Sequence, residues 1–242
     1  MNDLTILYYT ANVIKESAAQ KIRDSLLKVT ENKFPIISVS QKPINFGKNI
    51  CIGEIGRSKY NLYKQILIGA REVKTKYVAC VEDDVLYSAD HFNFRPKDGI
   101  FSYETNMWFV GNDYFWHLPN ANQRSGMWGC ISTTDALSKN LAVRYQMYPV
   151  DPLGVGKKIP WGEPGARDEY FGIIGTRQAK REGTTGRIVF FESKEPCIVF
   201  LYKEAMGTPQ IERRFHIHKP ENMTYNLGRF GRIGKLWQTY WS

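Results

Sequence analysis

Apolar and polar positions follow a strand–helix rhythm along residues 1–105. Residues 4–9 (Leu-Thr-Ile-Leu-Tyr-Tyr) are a mostly apolar run of strand length that closes at Thr10-Ala11-Asn12. Ser17 is a helix-capping residue type, and Ala18, Ile22, Leu26 and Val29 behind it share one helical face. Residues 34–39 predict a second strand, closed by Gln41-Lys42-Pro43, and 44–57, with three glycines, predict a loop. Ser58 predicts the cap of a second helix carrying Leu62, Ile66, Ala70 and Val73 on one side. Residues 77–81 then form an unbroken small or apolar run, as expected of a strand buried on both faces. Strands alternating with helices in this order imply βαβ units and a mainly parallel sheet.

The pattern loosens after Tyr87. Residues 107–110 and 127–132 predict short strands separated by a polar, aromatic-rich loop that includes Tyr114, Phe115, Trp116 and His117. Residues 134–145 predict a helix. Residues 149–167 hold four prolines and four glycines and predict a long loop, a feature that in compact domains usually means function or disorder. A helix is expected from Ala166 through Tyr170, Phe171 and Ile174, and strands at 187–192 and 197–202. There is no internal repeat. The expectation is one α/β domain, a Rossmann-type mainly parallel sheet flanked by helices. Its first half (1–105) would bind a nucleotide, and residues 106–242 complete the same domain.

Composition narrows this. Hydrophobic residues make up 43% of the 242 and aromatics 14%, which predicts a folded core. No apolar run is long enough to span a bilayer and no basic-then-apolar leader opens the sequence, so the expected location is the cytoplasm. Cys51, Cys80, Cys130 and Cys197 are scattered without a Cys-x-x-Cys pair, against a zinc ribbon or dithiol redox motif. The net charge of +9 favours polyanionic partners, and basic residues are dense after position 210.

The strand at 77–81 runs directly into Glu82-Asp83-Asp84. Three adjacent carboxylates repel one another unless a cation or donor network neutralises them. Hard oxygen donors at the carboxyl end of a buried strand suit Mg²⁺ or Mn²⁺ held with substrate phosphates. Neither a P-loop nor a Gly-x-Gly-x-x-Gly turn follows the first strand, which disfavours P-loop NTPases and dinucleotide oxidoreductases.

Two βα units followed by a strand ending in Glu82-Asp83-Asp84 resemble the GT-A glycosyltransferases, whose acidic Asp-x-Asp motif holds a divalent cation on the diphosphate of a nucleotide sugar. Here a Glu stands first. The resemblance implies Asp84 as metal ligand, Glu82 toward the ribose or the metal's waters, and Asp83 on the nucleotide side. It further implies base and ribose contacts from Thr10, Asn12 and Gln41, and phosphate contacts from Arg57 and Lys59. Trp161-Gly162-Glu163-Pro164-Gly165-Ala166-Arg167-Asp168-Glu169 is similar to the Trp-Gly…Glu-Asp segment of inverting enzymes such as the β-1,4-galactosyltransferases. Asp168, or next Glu169, is thereby implied as the base for the acceptor hydroxyl. In Phe215-His216-Ile217-His218 the resemblance implies a last metal ligand, His218 before His216, and an imidazole ligand would favour manganese.

The expected activity is therefore a metal-dependent, inverting hexosyl transfer from a nucleotide-diphosphate sugar, a UDP-sugar, to a hydroxyl. With the surplus of positive charge, DNA bearing hydroxymethylated bases is the preferred acceptor, as for phage DNA-base glycosyltransferases. Phosphate contacts would supply affinity and the aromatic loop 114–117 would stack on a flipped base. A lipopolysaccharide or other glycan is the alternative acceptor. A nucleotidyltransferase and a non-catalytic nucleic-acid-binding module are the alternatives to glycosyl transfer.

Overall fold

A computed structural model of the chain describes residues 2–112, 115–117, 126–152, 161–166, 168–173, 187–202 and 226–241. The first apolar run becomes β1 (Leu4–Thr10), and all seven of its residues are buried. It is followed by α1 (Glu16–Thr30), β2 (Ile36–Ser40), β3 (Lys48–Cys51), α2 (Lys59–Glu72) and β4 (Tyr77–Glu82). β4 and β2 both lie parallel to β1, and β3 lies parallel to β2, so four carboxyl ends face the same way. The remaining elements are β5 (Val85–Leu86), β6 (Phe101–Glu104), β7 (Met107–Val110), β8 (Phe115–His117), β9 (Cys130–Thr133), α3 (Thr134–Met147), β10 (Ile188–Phe191), β11 (Cys197–Phe200) and α4 (Ile233–Trp241).

The main sheet has seven strands in the order β10-β6-β9-β4-β1-β2-β3. It is mostly parallel, but β9 runs antiparallel to both β4 and β6. A second sheet of four strands, β5-β11-β7-β8, continues from the turn after the acids. α4 seats Ile233 and Leu236 in a cluster with Ile22 of α1 and Ile198 and Phe200 of β11. No helix among the described residues is long and apolar enough to cross a membrane.

α2 is set tightly against the sheet. Ser58 caps it, accepting a hydrogen bond from the Asn61 N–H at 3.0 Å. A Cβ at Gly69 would lie 2.2 Å from Leu7 Cδ1, so the close approach of α2 to β1 requires glycine there. From the same helix Gln65 Nε2 donates to Thr10 O at 2.8 Å and Val39 O at 3.2 Å. One buried amide thus ties the ends of β1 and β2 together, and the next residues of both strands form the site.

Several expectations are corrected. Residues 44–57 are not all loop, because Lys48–Cys51 adds the edge strand β3. Ser17 does not cap α1: the helix begins one residue earlier behind Lys15, without a side-chain cap. The predicted strand at 127–132 opens as a single 3₁₀ turn (Met127–Gly129) before β9. In place of a helix from Ala166, the described residues show a 3₁₀ turn, Asp168–Phe171.

Candidate active site

The carboxyl ends of β1, β2 and β4 open onto one cleft. Thr10, Gln41, Arg57, Lys59, Glu82, Asp83 and Asp84 all line it. Seven of the residues singled out from the sequence therefore come together, at the sheet edge where open α/β folds bind ligands.

Each acid is held differently. Tyr9 donates its hydroxyl to Glu82 Oε1 at 2.8 Å, and Thr10 donates to Asp83 Oδ2. The Glu82 N–H donates to the Tyr87 hydroxyl at 3.1 Å, and that hydroxyl donates to Trp128 O at 2.7 Å, fixing the turn after β4. Asp84 is 8% exposed, and its Oδ1 has no hydrogen-bond partner among the described residues. Burial first, and then mutual repulsion, push Glu82 up to about 7 despite the Tyr9 hydrogen bond. Burial likewise pushes Asp83 up to about 6 against the Thr10 hydrogen bond, and raises Asp84 well above the usual carboxylate range, with Glu82 and Asp83 adding to it.

The side of the cleft formed by the turns after β1 and β2 is a set of pinned loops. Asn12 adopts a left-handed backbone (φ 55°), a conformation Asn tolerates better than most residues. Its Oδ1 accepts from the Gln41 N–H at 2.9 Å and the Lys42 N–H at 2.8 Å, joining the β1 and β2 turns. Gln41 Nε2 donates to Gly56 O at 2.9 Å, while its Oε1 accepts from the Ile55 and Gly56 N–H groups at 3.1 and 3.2 Å. That engagement holds 52–58 beside the cleft, so Gln41 shapes the wall with its amide. Asn12 does not itself line the main cleft but an adjoining hollow, shared with Thr10. Arg57 and Lys59 flank the Ser58 cap, where the helix N-terminus adds its own preference for anions.

The catalytic residue chosen from the sequence is displaced. Asp168 is fully buried and is absent from the cleft lining. Its Oδ1 accepts from Asn140 Nδ2 at 2.7 Å and the Gly165 N–H at 2.9 Å, with Arg144 Nη2 at 3.4 Å. Arg187 Nη1 reaches its Oδ2 at 3.3 Å. With two guanidiniums, an amide and a backbone donor around it, Asp168 fastens a loop. Glu169 follows in the same 3₁₀ turn.

The loop fastened in this way is 161–166. Trp161 is buried in a box of rings, with Tyr60, Phe171 and Tyr145 centroids at 5.2, 5.3 and 5.4 Å. Arg144 Nη1 donates to Gly162 O at 2.6 Å, and the Tyr103 hydroxyl donates to Pro164 O at 2.7 Å. Gly165 is held by Asp168. Between these four clamps sits Glu163, which lines the cleft together with the three acids of β4. Sequence reading passed over it, although the Trp-Gly-Glu triplet that begins the segment was in view. Tyr63 and Tyr202 are cleft residues it also missed.

Other expectations fall differently. His216 and His218, like Tyr114, lie outside the described residues. Phe115, expected in a base-stacking loop, is a core residue of β8 with 3% exposure. Met127 and Trp128 line the cleft, consistent with the second half of the chain forming its far wall.

No family model and no curated protein sequence matches this chain. Solved structures of similar fold include a glycosyltransferase involved in the glycosylation of the major capsid of PBCV-1. That protein is 10% identical, with a TM-score of 0.45 over 82% of this chain and 93% of its own. Another is the bifunctional IspDF from Campylobacter jejuni, 13% identical with a TM-score of 0.43 over 80% of this chain. The chain spans 50% of the IspDF length. At these identities the likeness concerns the arrangement of the α/β fold alone.

Proposed function

We propose that the protein is a metal-dependent glycosyltransferase that moves a hexose from a nucleoside-diphosphate sugar, a UDP-sugar, to a hydroxyl of a polyanionic acceptor. The observation that carries this reading is the buried Asp84 Oδ1, unpartnered in a cleft it shares with Glu82 and Asp83. A buried carboxylate oxygen without a partner costs several kcal/mol unless something absent from the protein chain completes it. A hard divalent cation fits that donor set, whereas a neutral ligand does not.

Asp84 and Glu82 would hold Mn²⁺ or Mg²⁺, with His218 or His216 as the further ligand. Such an ion stabilises the negative charge that grows on the diphosphate as the sugar bond breaks. Arg57 and Lys59, which line the cleft beside the N-terminus of α2, would bind the diphosphate, and Thr10, Asn12, Gln41 and Asp83 would contact the nucleoside. Glu163 accepts the proton of the acceptor hydroxyl as its oxygen attacks the anomeric carbon and the bond to the diphosphate oxygen breaks. Attack from the face opposite the leaving group inverts the anomeric centre. Asp168 becomes a positioning residue for the Glu163 loop, and Glu169 is the alternative base. The net charge of +9 suits DNA with hydroxymethylated bases as the acceptor.

The test is release of free nucleoside diphosphate from a panel of sugar nucleotides with Mn²⁺, Mg²⁺ or EDTA, with and without hydroxymethylated DNA. Chelator-sensitive release that the DNA stimulates is the expected result. Release indifferent to DNA moves the acceptor to a glycan. If no donor releases nucleotide, but the protein binds DNA in EDTA, glycosyl transfer is wrong and a binding module replaces it.

A further inference from the structure

Away from the cleft lies a second polar cluster that the proposed reaction does not use. His91, in a 3₁₀ turn (Asp90–Asn93) after β5, Glu104, the last residue of β6, and Cys197, the first of β11, are all fully buried. One donor atom from each lies within 4.8 Å of the other two. None of the three lines the cleft. We propose that His91, Glu104 and Cys197 form a structural zinc site that joins the main sheet to the second sheet.

The residues around the cluster hold each donor in place. Glu104 Oε1 accepts three backbone N–H groups, from Thr105 at 3.0 Å, Asn106 at 2.9 Å and Ser193 at 3.0 Å. The carboxylate cannot turn, and its other oxygen, Oε2, is left to face His91 Nδ1 at 3.2 Å. The imidazole is enclosed by Phe92, Tyr87 and Phe191, with ring centroids at 5.0, 5.2 and 5.5 Å. Nδ1 is thereby the imidazole nitrogen turned toward the carboxylate and is the one that would bind the ion. The Ser88 N–H donates to Cys197 Sγ at 3.5 Å, which fixes the third donor beside the other two.

The donor chemistry selects the metal. One thiolate, one imidazole and one carboxylate are the mixed set that zinc accepts, whereas the oxygen-only acids of the cleft suit Mg²⁺ or Mn²⁺. Charge selects it as well. A dication with one thiolate, one carboxylate and a neutral imidazole sums to zero, which a site with no exposed ligand requires. On binding, the thiol proton and any proton on the imidazole pass to water. The ligands come from β6, β11 and the turn after β5, so the ion would tie together segments far apart in the chain. Such a site forms with the fold and contributes to its stability.

The test uses the full-length chain, unfolded and refolded with Zn²⁺, with Co²⁺ as a spectroscopic probe, or without metal. The expected result is one tightly held zinc per chain by elemental analysis and, with cobalt, a thiolate-to-metal charge-transfer band with tetrahedral d–d bands. Zinc content should be unchanged in Asp84→Asn, which separates this site from the cleft, and should fall by about one equivalent in Cys197→Ser and His91→Gln. Should those variants fail to fold, the cobalt spectrum of the unmutated protein decides alone. A refolded, native protein that retains no zinc and shows no thiolate band overturns the proposal and leaves a buried His–Glu ion pair. That outcome would not touch the reading of the cleft.

Discussion

Two sets of buried carboxylates stand within this molecule, and they are compensated in opposite ways. Asp168 sits inside a closed arrangement in which Arg144, Arg187, Asn140 and the Gly165 N–H all turn toward it. Glu82, Asp83 and Asp84 have hydroxyls from Tyr9 and Thr10 on two of their members, and nothing on Asp84 Oδ1. The first set is complete within the chain, so it can only hold structure. The second is complete only with a ligand. Burial and negative charge are common to both, and what differs is the set of donors each one faces. A structural acid and a site acid are therefore separated by their partners, with depth a poor guide.

The largest expected effect falls on the incomplete set. Asp84→Asn keeps the volume and removes the charge, so turnover should drop at least about a thousandfold, the scale of losing electrostatic stabilisation at a transition state. EDTA should reproduce the loss in the unmutated protein, and Mn²⁺ should reverse it. Thermal stability should hold, because the variant keeps the volume of a side chain whose carboxyl burial already raises well above the usual carboxylate range. Unimpaired nucleotide release by Asp84→Asn would end the distinction between the two sets.

Glu163→Gln should lower turnover by about a hundredfold to ten-thousandfold, the range for removing a general base, while leaving donor affinity nearly unchanged. The two are read by initial rates and by titration with the nucleoside diphosphate. If Glu163→Gln turns over normally while Glu169→Gln does not, the base is Glu169. Asp168→Ala should instead act on stability, at a cost of about 3–5 kcal/mol, because it strands the fully buried Arg144 without its carboxylate. Denaturant unfolding measures that cost. A stable Asp168→Ala protein that has lost only turnover would return Asp168 to the role its sequence position suggests.

Why the sequence shows where one set sits and leaves the surroundings of the other hidden follows from where the partners lie. β1, α2 and β4 were legible because local signals define them: an apolar run, a Ser58 cap with helical spacing behind it, and a buried strand ending in acids. The cleft acids inherit that legibility, since the end of β4 fixes where they go. β3 was hidden because an edge strand reading Lys-Asn-Ile-Cys shows no apolar alternation. The direction of β9 was hidden because antiparallel pairing with both β4 and β6 is set by long-range register. Asp168 and Glu163 both follow Trp161-Gly162 within a few residues, and nothing local separates them. The groups that do are Arg144 and Arg187, 24 and 19 residues from Asp168 in sequence, which meet it only in the folded chain.

The smallest expected effect lies at Ser58, where the cleft meets its supporting helix. The Ser58 hydroxyl accepts from the Asn61 N–H, satisfying one of the donors that the first turn of α2 leaves open. Ser58→Ala should cost about 1 kcal/mol, the ordinary value of a lost N-cap, visible as a small shift in the denaturant midpoint at constant slope. Arg57 and Lys59 flank this cap, and Asn61 also reaches Gly56 O at 3.2 Å, within the segment that Gln41 pins. Loosening the cap therefore loosens both sides of the phosphate wall. Affinity for a nucleoside diphosphate should weaken by a few-fold, and the rate at saturating donor should stay near that of the unmutated protein. Ser58→Asp keeps an acceptor at the cap but sets a negative charge beside the diphosphate. It should preserve stability and weaken donor binding more than Ser58→Ala does. If the two variants bind nucleotide equally well, the N-terminus of α2 does not face the phosphates, and Arg57 and Lys59 lose their assigned role with it.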